Sequence, residues 1–479
     1  MAQLPLSLGD MLDHRLAPRI LGEETWWRGP LPVETLALRS ASAALTAAHG
    51  LLGERRFALE TRRLAAAFGS IGHLRIEGRA PAPFGEMSGF FRCRDGWIRA
   101  HANYPHHRLA LRRALGVEDA TALAAALLER EAAETERLVF DAGGLAVRVR
   151  DRQEWLGTLP PEGRGGGADA PGSRRDGGPS HAAGPPRTVG PAAPAAPRTP
   201  WVAVRPAEDP EAQRRPATPS PDSLRVLDLT RVIAGPTGTK LLAALGAEVL
   251  RIDPPQHPEL LAQHLDTDDG KRSAAADLRA AQTLNRVREL AGAADVVITG
   301  YRPGALARFG LDAGTLLAEH PGLSVVELDA WGGCPAPWAS RRGFDSLVQA
   351  ASGIAVLYGS RRGTGAGRGR GPHSGRGAAE ERWRPGALPV QALDHATGYC
   401  AAGAALALVG AGGGRARLSL ARTAEELFSL PGLPPGLPRR QAPELVEMDS
   451  PHGRLTKAAP LIGEPLAPGR YGASPLAWG

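Results

Sequence analysis

The sequence predicts an α/β fold in two parts: a parallel sheet flanked by helices, and a smaller α+β domain placed before it. Three observations carry this. The stretch 224–255, LRVLDLTRVIAGPTGTKLLAALGAEVLRIDPP, reads strand, glycine turn, helix, strand. The same alternation continues to about residue 330, as a doubly wound sheet requires. A long segment rich in Gly, Pro, Ala, Ser and Arg, 161–222, separates this half from a first half without that alternation. The larger domain is therefore Rossmann-like.

Within the stretch 224–255, residues 224–229 are a short apolar run bounded by polar residues, which suits a buried strand. Ala234-Gly235-Pro236-Thr237-Gly238 reads as a turn, because glycine frees the backbone and proline blocks further pairing. Residues 239–245 read as a helix closed by Gly246, a good C-cap residue. Residues 247–252 form a second buried strand, ending at Asp253-Pro254-Pro255. One βαβ unit forces parallel pairing, and ligands on such sheets bind at the carboxyl ends of the strands.

Residues 1–160 read as a compact α+β module. A helix is predicted over 31–52, a hairpin over 90–101 turning at Arg94-Asp95-Gly96, and helices around 109–115 and 119–133. A turn and strand follow over 143–150. His101, His106 and His107 receive a structural role here: neighbouring histidines point in different directions, and no carboxylate stands at ligand spacing. No metal is therefore expected. Residues 161–222 lack large apolar side chains and are predicted to be a disordered linker, docking locally at 201–204.

The α/β domain spans 223–430. After the βαβ unit come strand 274–278, helix 284–290, strand 294–299, a turn at Tyr301-Arg302-Pro303-Gly304, and a short helix 306–309 stopped by Gly310. Strand 323–328 and helix 346–352 follow, then a Gly/Arg-rich insertion over 360–386. Residues 388–393 lead to Asp394, just before a helix over 395–409; strand 417–421 and a helix starting at 424–427 complete the pattern. Residues 431–479 read as an irregular, proline-rich tail.

The totals exclude several classes of function. At 479 residues with 43% hydrophobic content the chain holds two cores, so its 60 Gly and 43 Pro belong mostly outside them. Cys93, Cys334 and Cys400 show no CxxC spacing. That argues against a disulfide framework or structural zinc and places the chain in a reducing cytoplasm. The first residues lack the apolar run of a signal peptide, and no uninterrupted 18-residue apolar segment predicts a membrane span. The net charge is +7, and segment 361–384 carries +5 of it. The folded parts are close to neutral, so nucleic acid is not expected as a partner and the insertion reads as solvated.

The turn Gly235–Gly238 can cradle an anion at a helix N-terminus. It is neither G-x-G-x-x-G, since Pro236 intervenes and the third glycine is missing, nor a Walker A loop, since Lys240 comes too soon. The wider string is more specific. VLDLTRVIAGP, LLAALGAEVLRIDPP, GKRSAAADLR, ADVVITGYRPGALARFGL, RRGFDSLVQAASG and LDHATG, in this order over about 222–425, resemble the class III coenzyme A-transferase family. That family includes formyl-CoA and carnitine-CoA transferases and the α-methylacyl-CoA racemases.

The resemblance implies an aspartate nucleophile at Asp394. Its carboxylate attacks an acyl-CoA thioester to give a mixed anhydride, splitting one hard transfer into two easier ones. From the residue alone, an N-cap role for Asp394 is the favoured reading, and the resemblance reverses that. The implied CoA contacts fall on Ile233 and Ala234, then on Ala276, Asp277, Leu278 and Arg279. They continue at Gly300, Tyr301, Arg302 and Arg308, and at Arg342, Gly343, Phe344 and Asp345. Arg302, Arg308 and Arg342 suit the phosphates of CoA, since guanidinium groups offer forked donors. Pro254 stands where some members carry a phosphate-binding arginine, and Phe344 where racemases carry a histidine base. Phenylalanine moves no proton, which favours transferase over racemase. His395 is adjacent to Asp394 and is expected to point elsewhere.

DGWIRAHAN, HHRLALRRALG and GGLAVRVRDRQEWL resemble the family's smaller domain, which normally follows the nucleophile and here precedes it. Family members form interlocked dimers, so a homodimer is implied. The expected partners are an acyl-CoA and a carboxylic acid, with CoA thioester as substrate and no permanently bound cofactor. The alternatives are a CoA-thioester racemase and a catalytically silent acyl-CoA-binding protein.

Overall fold

The structure, a computed structural model, describes residues 5–23, 25–27, 29–53, 55–82, 84–159, 200–208, 220–362, 382–431 and 442–479. Eight strands form the central sheet: β1 (Leu6–Ser7), β2 (Ala203–Pro206), β3 (Arg225–Leu229), β4 (Glu248–Asp253), β5 (Arg272–Ala275), β6 (Val296–Thr299), β7 (Ser324–Asp329) and β8 (Gly414–Ser419). Their order is β1-β2-β8-β7-β6-β3-β4-β5. Strands β3 to β8 pair in parallel, while β2 joins β8, and β1 joins β2, antiparallel. The parallel strands read as continuous apolar runs because both faces are covered: every residue of β6 is buried.

The order fixes where a ligand sits. From β3 the chain steps outward through β4 and β5, then returns to the other side of β3 for β6, β7 and β8. Strands β3 and β6 thus flank a topological switch point, and the loops after them, 230–233 and 300–306, diverge to leave a crevice.

Five helices position the rest: α1 (Val33–Leu52), α2 (Pro105–Leu115), α3 (Ala234–Ala244), α4 (Asp345–Ser352) and α5 (Ala392–Gly410). Helix α5 is buried nearly all round, between α1 and α3. Its glycines allow this. A Cβ on Gly238 of α3 would lie 2.5 Å from the carbonyl oxygen of Gly398 in α5. One on Gly403 would lie 3.1 Å from the Cα of Ala44 in α1. The expected turn at 234–238 is therefore corrected: it is the first turn of α3. Pro236 is tolerated there because early helical N–H groups have no intrahelical partner, and the glycines serve close approach rather than chain reversal.

The first half divides differently from the expectation. Helix α1 belongs to the core of the large domain, with Leu36, Ala41, Ala44 and Leu45 in one cluster with Ala401, Ala404 and Ala405 of α5. A separate core of Met87, Ile98, Leu111, Leu123 and Val139 marks the compact α+β lobe. Its three antiparallel strands are Gly89–Arg92, Trp97–Ala100 and Ala146–Arg148. The lobe is tied down where it ends: Arg152 grips Glu425 through two hydrogen bonds of 2.7 and 2.6 Å, and the Trp155 indole donates to Glu425 at 2.9 Å.

Inside the expected linker, β2 is an ordered strand and the Trp201 indole donates to Thr423 at 2.9 Å; residues 160–199 and 209–219 lie outside the described residues. Of the Gly/Arg insertion, residues 363–381 lie outside them, and the flanks Ser360–Arg362 and Arg382–Arg384 pair antiparallel. The tail is not irregular throughout. Leu445–Ser450 and Gly453–Ala458 form a hairpin joined by Arg75–Ile76. Residues 468–474 then run along β5, where the Ser474 N–H donates to the Ser273 carbonyl at 2.7 Å. An otherwise open sheet edge is covered. No described helix is long and apolar enough to cross a membrane.

Candidate active site

A cavity of about 250 Å³ opens at the switch point. Its walls come from the loop after β3, from Gly300, Tyr301 and Arg302 after β6, and from Asp329 and Ala330 at the end of β7. Residues 341–344, with Asp394 and Thr397 of α5, form another wall, and the small lobe adds Tyr104, His106 and His107.

Asp394 sits inside the first turn of α5 rather than before it. Gln391 is the N-cap and makes no side-chain cap bond, so the capping role does not apply to Asp394. The side chain is 5% exposed and lines the cavity. Behind it, fully buried, lies Asp345 at the start of α4. One Asp345 oxygen accepts the backbone N–H of Asp394 at 3.1 Å, and the other accepts the Gln349 amide. Gln349 in turn accepts the Leu388 N–H at 2.8 Å. Asp345 thus fixes the start of α5.

Burial pushes the Asp345 carboxyl up to about 6, against the hydrogen bonds from Gln349 and the backbone of Asp394. Burial, and then the neighbouring Asp345, drives Asp394 well above the ordinary carboxylate range. Two carboxyl groups this close in a dry pocket cannot both ionise freely.

The loop between β3 and α3 is strained and held. Val232 has φ +70°, a backbone that β-branched residues rarely adopt. Its N–H donates to Glu259 at 2.9 Å, and the other Glu259 oxygen takes the Tyr104 hydroxyl. Glu259 also receives Arg251 at 2.9 Å. Arg251 is fully buried and paired with Asp253 and Asp268, each at 2.8 Å. Burial disfavours the Asp268 carboxylate, but Arg251 and Lys271 outweigh it and hold its proton affinity far below normal. At the loop's start Asp228 accepts the Thr230 N–H at 2.9 Å and the Thr239 hydroxyl at 2.5 Å.

Nine of the sequence-predicted positions line the cavity: Ile233, Ala234, Gly300, Tyr301, Arg302, Arg342, Gly343, Phe344 and Asp394. The other six do not. Asp345 lies behind the wall. Ala276, Asp277, Leu278 and Arg279 follow β5, two strands away, where Arg279 pairs with Asp277 at 2.9 Å. Arg308 stands over the Phe309 ring.

The three histidines, read from the sequence as structural, are brought together at or beside the cavity. His106 and His107 both line the cavity, their ring centroids 4.1 Å apart, and His101 stacks flat on Phe344 at 3.9 Å. Burial, then neighbouring positive groups, lowers His101 to about 3, His106 to about 4 and His107 to about 2. His395 turns away from the cavity, contacting Thr237 at 3.2 Å and packing on Phe68, and burial lowers it to about 3.

Tyr104, Arg231, His257, Glu259 and Asp329 complete or brace the cavity without having been singled out from the sequence. No local signal marks Tyr104: only the fold brings residues so distant in the chain to Glu259.

Residues 222–421 match the family model for CoA-transferase family III. The chain is similar to a probable fatty acyl-CoA transferase of Mycobacterium tuberculosis, 33% identical over 205 residues, which cover 40% of this chain and 46% of the relative. It is also similar to a succinate–glutarate CoA-transferase of Agrobacterium fabrum, 31% identical over 159 residues, covering 29% of this chain and 40% of that one. The chain therefore spans less than half the length of these curated relatives. Among solved structures, that of Rv3272 from M. tuberculosis aligns with TM-score 0.36 at 30% identity, covering 43% of this chain and 55% of the other.

Proposed function

We propose that this chain is a CoA-transferase that moves coenzyme A between carboxylic acids through an acyl anhydride on Asp394. The observation that carries this is one buried carboxylate facing a cavity at the carboxyl edge of a parallel sheet, backed by a second carboxylate that raises its basicity. A basic carboxylate held out of water is a stronger nucleophile.

In the first step an Asp394 oxygen adds to the thioester carbonyl, the C–S bond breaks, and CoA leaves as the thiolate. The thiolate then attacks the aspartyl carbonyl and releases the first acid as a carboxylate. An incoming carboxylate repeats the exchange in reverse, and Asp394 is regenerated with no net proton change. The three cysteines are buried and free, and the proposed compartment is the reducing cytoplasm. Phe344, stacked on His101, supplies no proton-transferring group at the position where the racemases carry a histidine base.

Incubation with an acyl-CoA and hydroxylamine, followed by peptide mass spectrometry, should place a hydroxamate on Asp394. Full transfer activity in Asp394→Ala would sink the reading. Asp345→Asn removes the adjacent charge, so Asp394 should ionise at lower pH. The acid limb of the pH–rate profile should move down by about one unit. A slower enzyme with an unmoved limb would give Asp345 a purely structural role.

A further inference from the structure

One wall of the cavity gathers basic side chains that the transfer chemistry does not use. His106 and His257 face each other with ring centroids 4.5 Å apart. Arg302 and Arg342 line the same cavity, as does Pro254. Among the described residues none of these four side chains forms an ion pair with a carboxylate. Nearby Arg231 is already engaged by Asp253 at 3.6 Å and Glu259 at 3.7 Å, and Arg279 by Asp277 at 2.9 Å.

Two further features stand at the same wall. Helix α2 begins there, and its N-cap Tyr104 makes no side-chain cap bond, so the early N–H groups are free for an anion. His107, 4% exposed, lines the cavity with its Nδ1 lacking any described partner. Like charges crowded without counter-charge repel one another, and the repulsion is relieved when a multiply charged anion enters.

Arg302 and Arg342 are already the arginines that the resemblance gives to phosphate; we propose that Tyr104–His107 and His257 complete their site, and that His106 and His257 take up a proton as the phosphate enters. This rests on the CoA-transferase reading for the identity of the phosphate, which is then one of those of CoA. The site does not rest on it.

In the free protein His106 is held near 4 by burial and then by His257, Arg342 and Arg231; His257 is lowered by burial and then by Arg231, Arg342 and Arg279. His107 and Tyr104 are the remaining titratable neighbours of His106. Both members of the pair are thus neutral at pH 7. A phosphate dianion favours their charged forms, so their affinities for protons rise on binding. Phosphate affinity should accordingly strengthen as pH falls from 8 to 6.

The test is calorimetric titration of the full chain with CoA, dephospho-CoA, pantetheine and inorganic pyrophosphate, at pH 7, in two buffers of different ionisation enthalpy. CoA and pyrophosphate should bind with proton uptake, and pantetheine without it. Uptake lost with dephospho-CoA assigns the 3′-phosphate; uptake retained assigns the diphosphate. His257 is exposed, so His257→Gln should fold normally. It should weaken CoA about tenfold and reduce the uptake, and adding His106→Gln should abolish the uptake. Unchanged CoA affinity and uptake in both variants would overturn the site. Pyrophosphate binding with uptake, but no acyl transfer from any thioester, would keep the site and overturn the transferase reading.

Discussion

Under the proposed anhydride mechanism, Asp394→Asn loses acyl transfer and yet gives a more stable protein at alkaline pH. The rate should fall by about 10³-fold or more, because an amide cannot form the anhydride. The stability gain follows from linkage. The folded state raises the proton affinity of Asp394 above its unfolded value. A group raised in this way contributes its full stability below the unfolded value and loses it as pH rises towards the folded one. As pH rises above the unfolded value, the native protein must either retain a proton that the unfolded chain has released or carry a buried charge, a cost that asparagine lacks. The gap in melting temperature between variant and parent should be small near pH 4 and widen by several degrees towards pH 8. Thermal unfolding across that range measures it, and a gap that stays flat with pH would mean that Asp394 carries no such burden.

Gly398→Ala will destabilise the protein by about 2–3 kcal/mol and displace the residue one turn earlier, Asp394. Helix propensity alone predicts the opposite sign, since alanine outranks glycine by about 1 kcal/mol in a helix interior. Packing decides. A Cβ at Gly398 would run into the Ala234 carbonyl oxygen and lie 2.9 Å from the Thr237 Cβ. The carbonyl belongs to backbone and cannot swing aside, so α3 and α5 must separate. Gly410→Ala, near the end of the same helix, meets only a flexible Leu51 methyl at 3.4 Å and should change stability by less than about 0.5 kcal/mol. Denaturant unfolding of both variants distinguishes local packing from a general intolerance of side chains on α5.

The sheet was largely legible from the sequence because doubly covered parallel strands leave an unbroken apolar signature, as in Val296–Thr299. Reading Ala234–Gly238 as a turn failed because glycine and proline were taken as punctuation. In the structure Pro236 uses the tolerance of a first helical turn, and the glycines remove side chains between crossing helices. The placement of α1 was illegible for a different reason. A stripe of small residues announces a close partner without saying which, and the partner, α5, comes far later in the chain. The motif string singled out Asp394, Ile233 and Tyr301, which the fold brings to one cavity. Asp345 was grouped with the cavity residues but lies behind them, because sequence spacing cannot tell the front of a wall from its back. The convergence of the histidines was illegible because its cause, the seating of the lobe against the sheet, lies outside any local pattern.

The joint at Glu259 has a consequence for when the cavity exists at all. The unfavourable backbone of Val232 is pinned by a carboxylate that is itself engaged by Tyr104 of the lobe and by Arg251 of the sheet domain. The shape of the crevice is thereby tied to the seating of the lobe. With the lobe unseated, the sheet keeps its own core while the loop loses one anchor of its clamp and relaxes towards ordinary backbone geometry. The geometry of the cavity is thus set jointly by the lobe and the sheet domain, which also share Leu145, Val147 and Trp155 in one core.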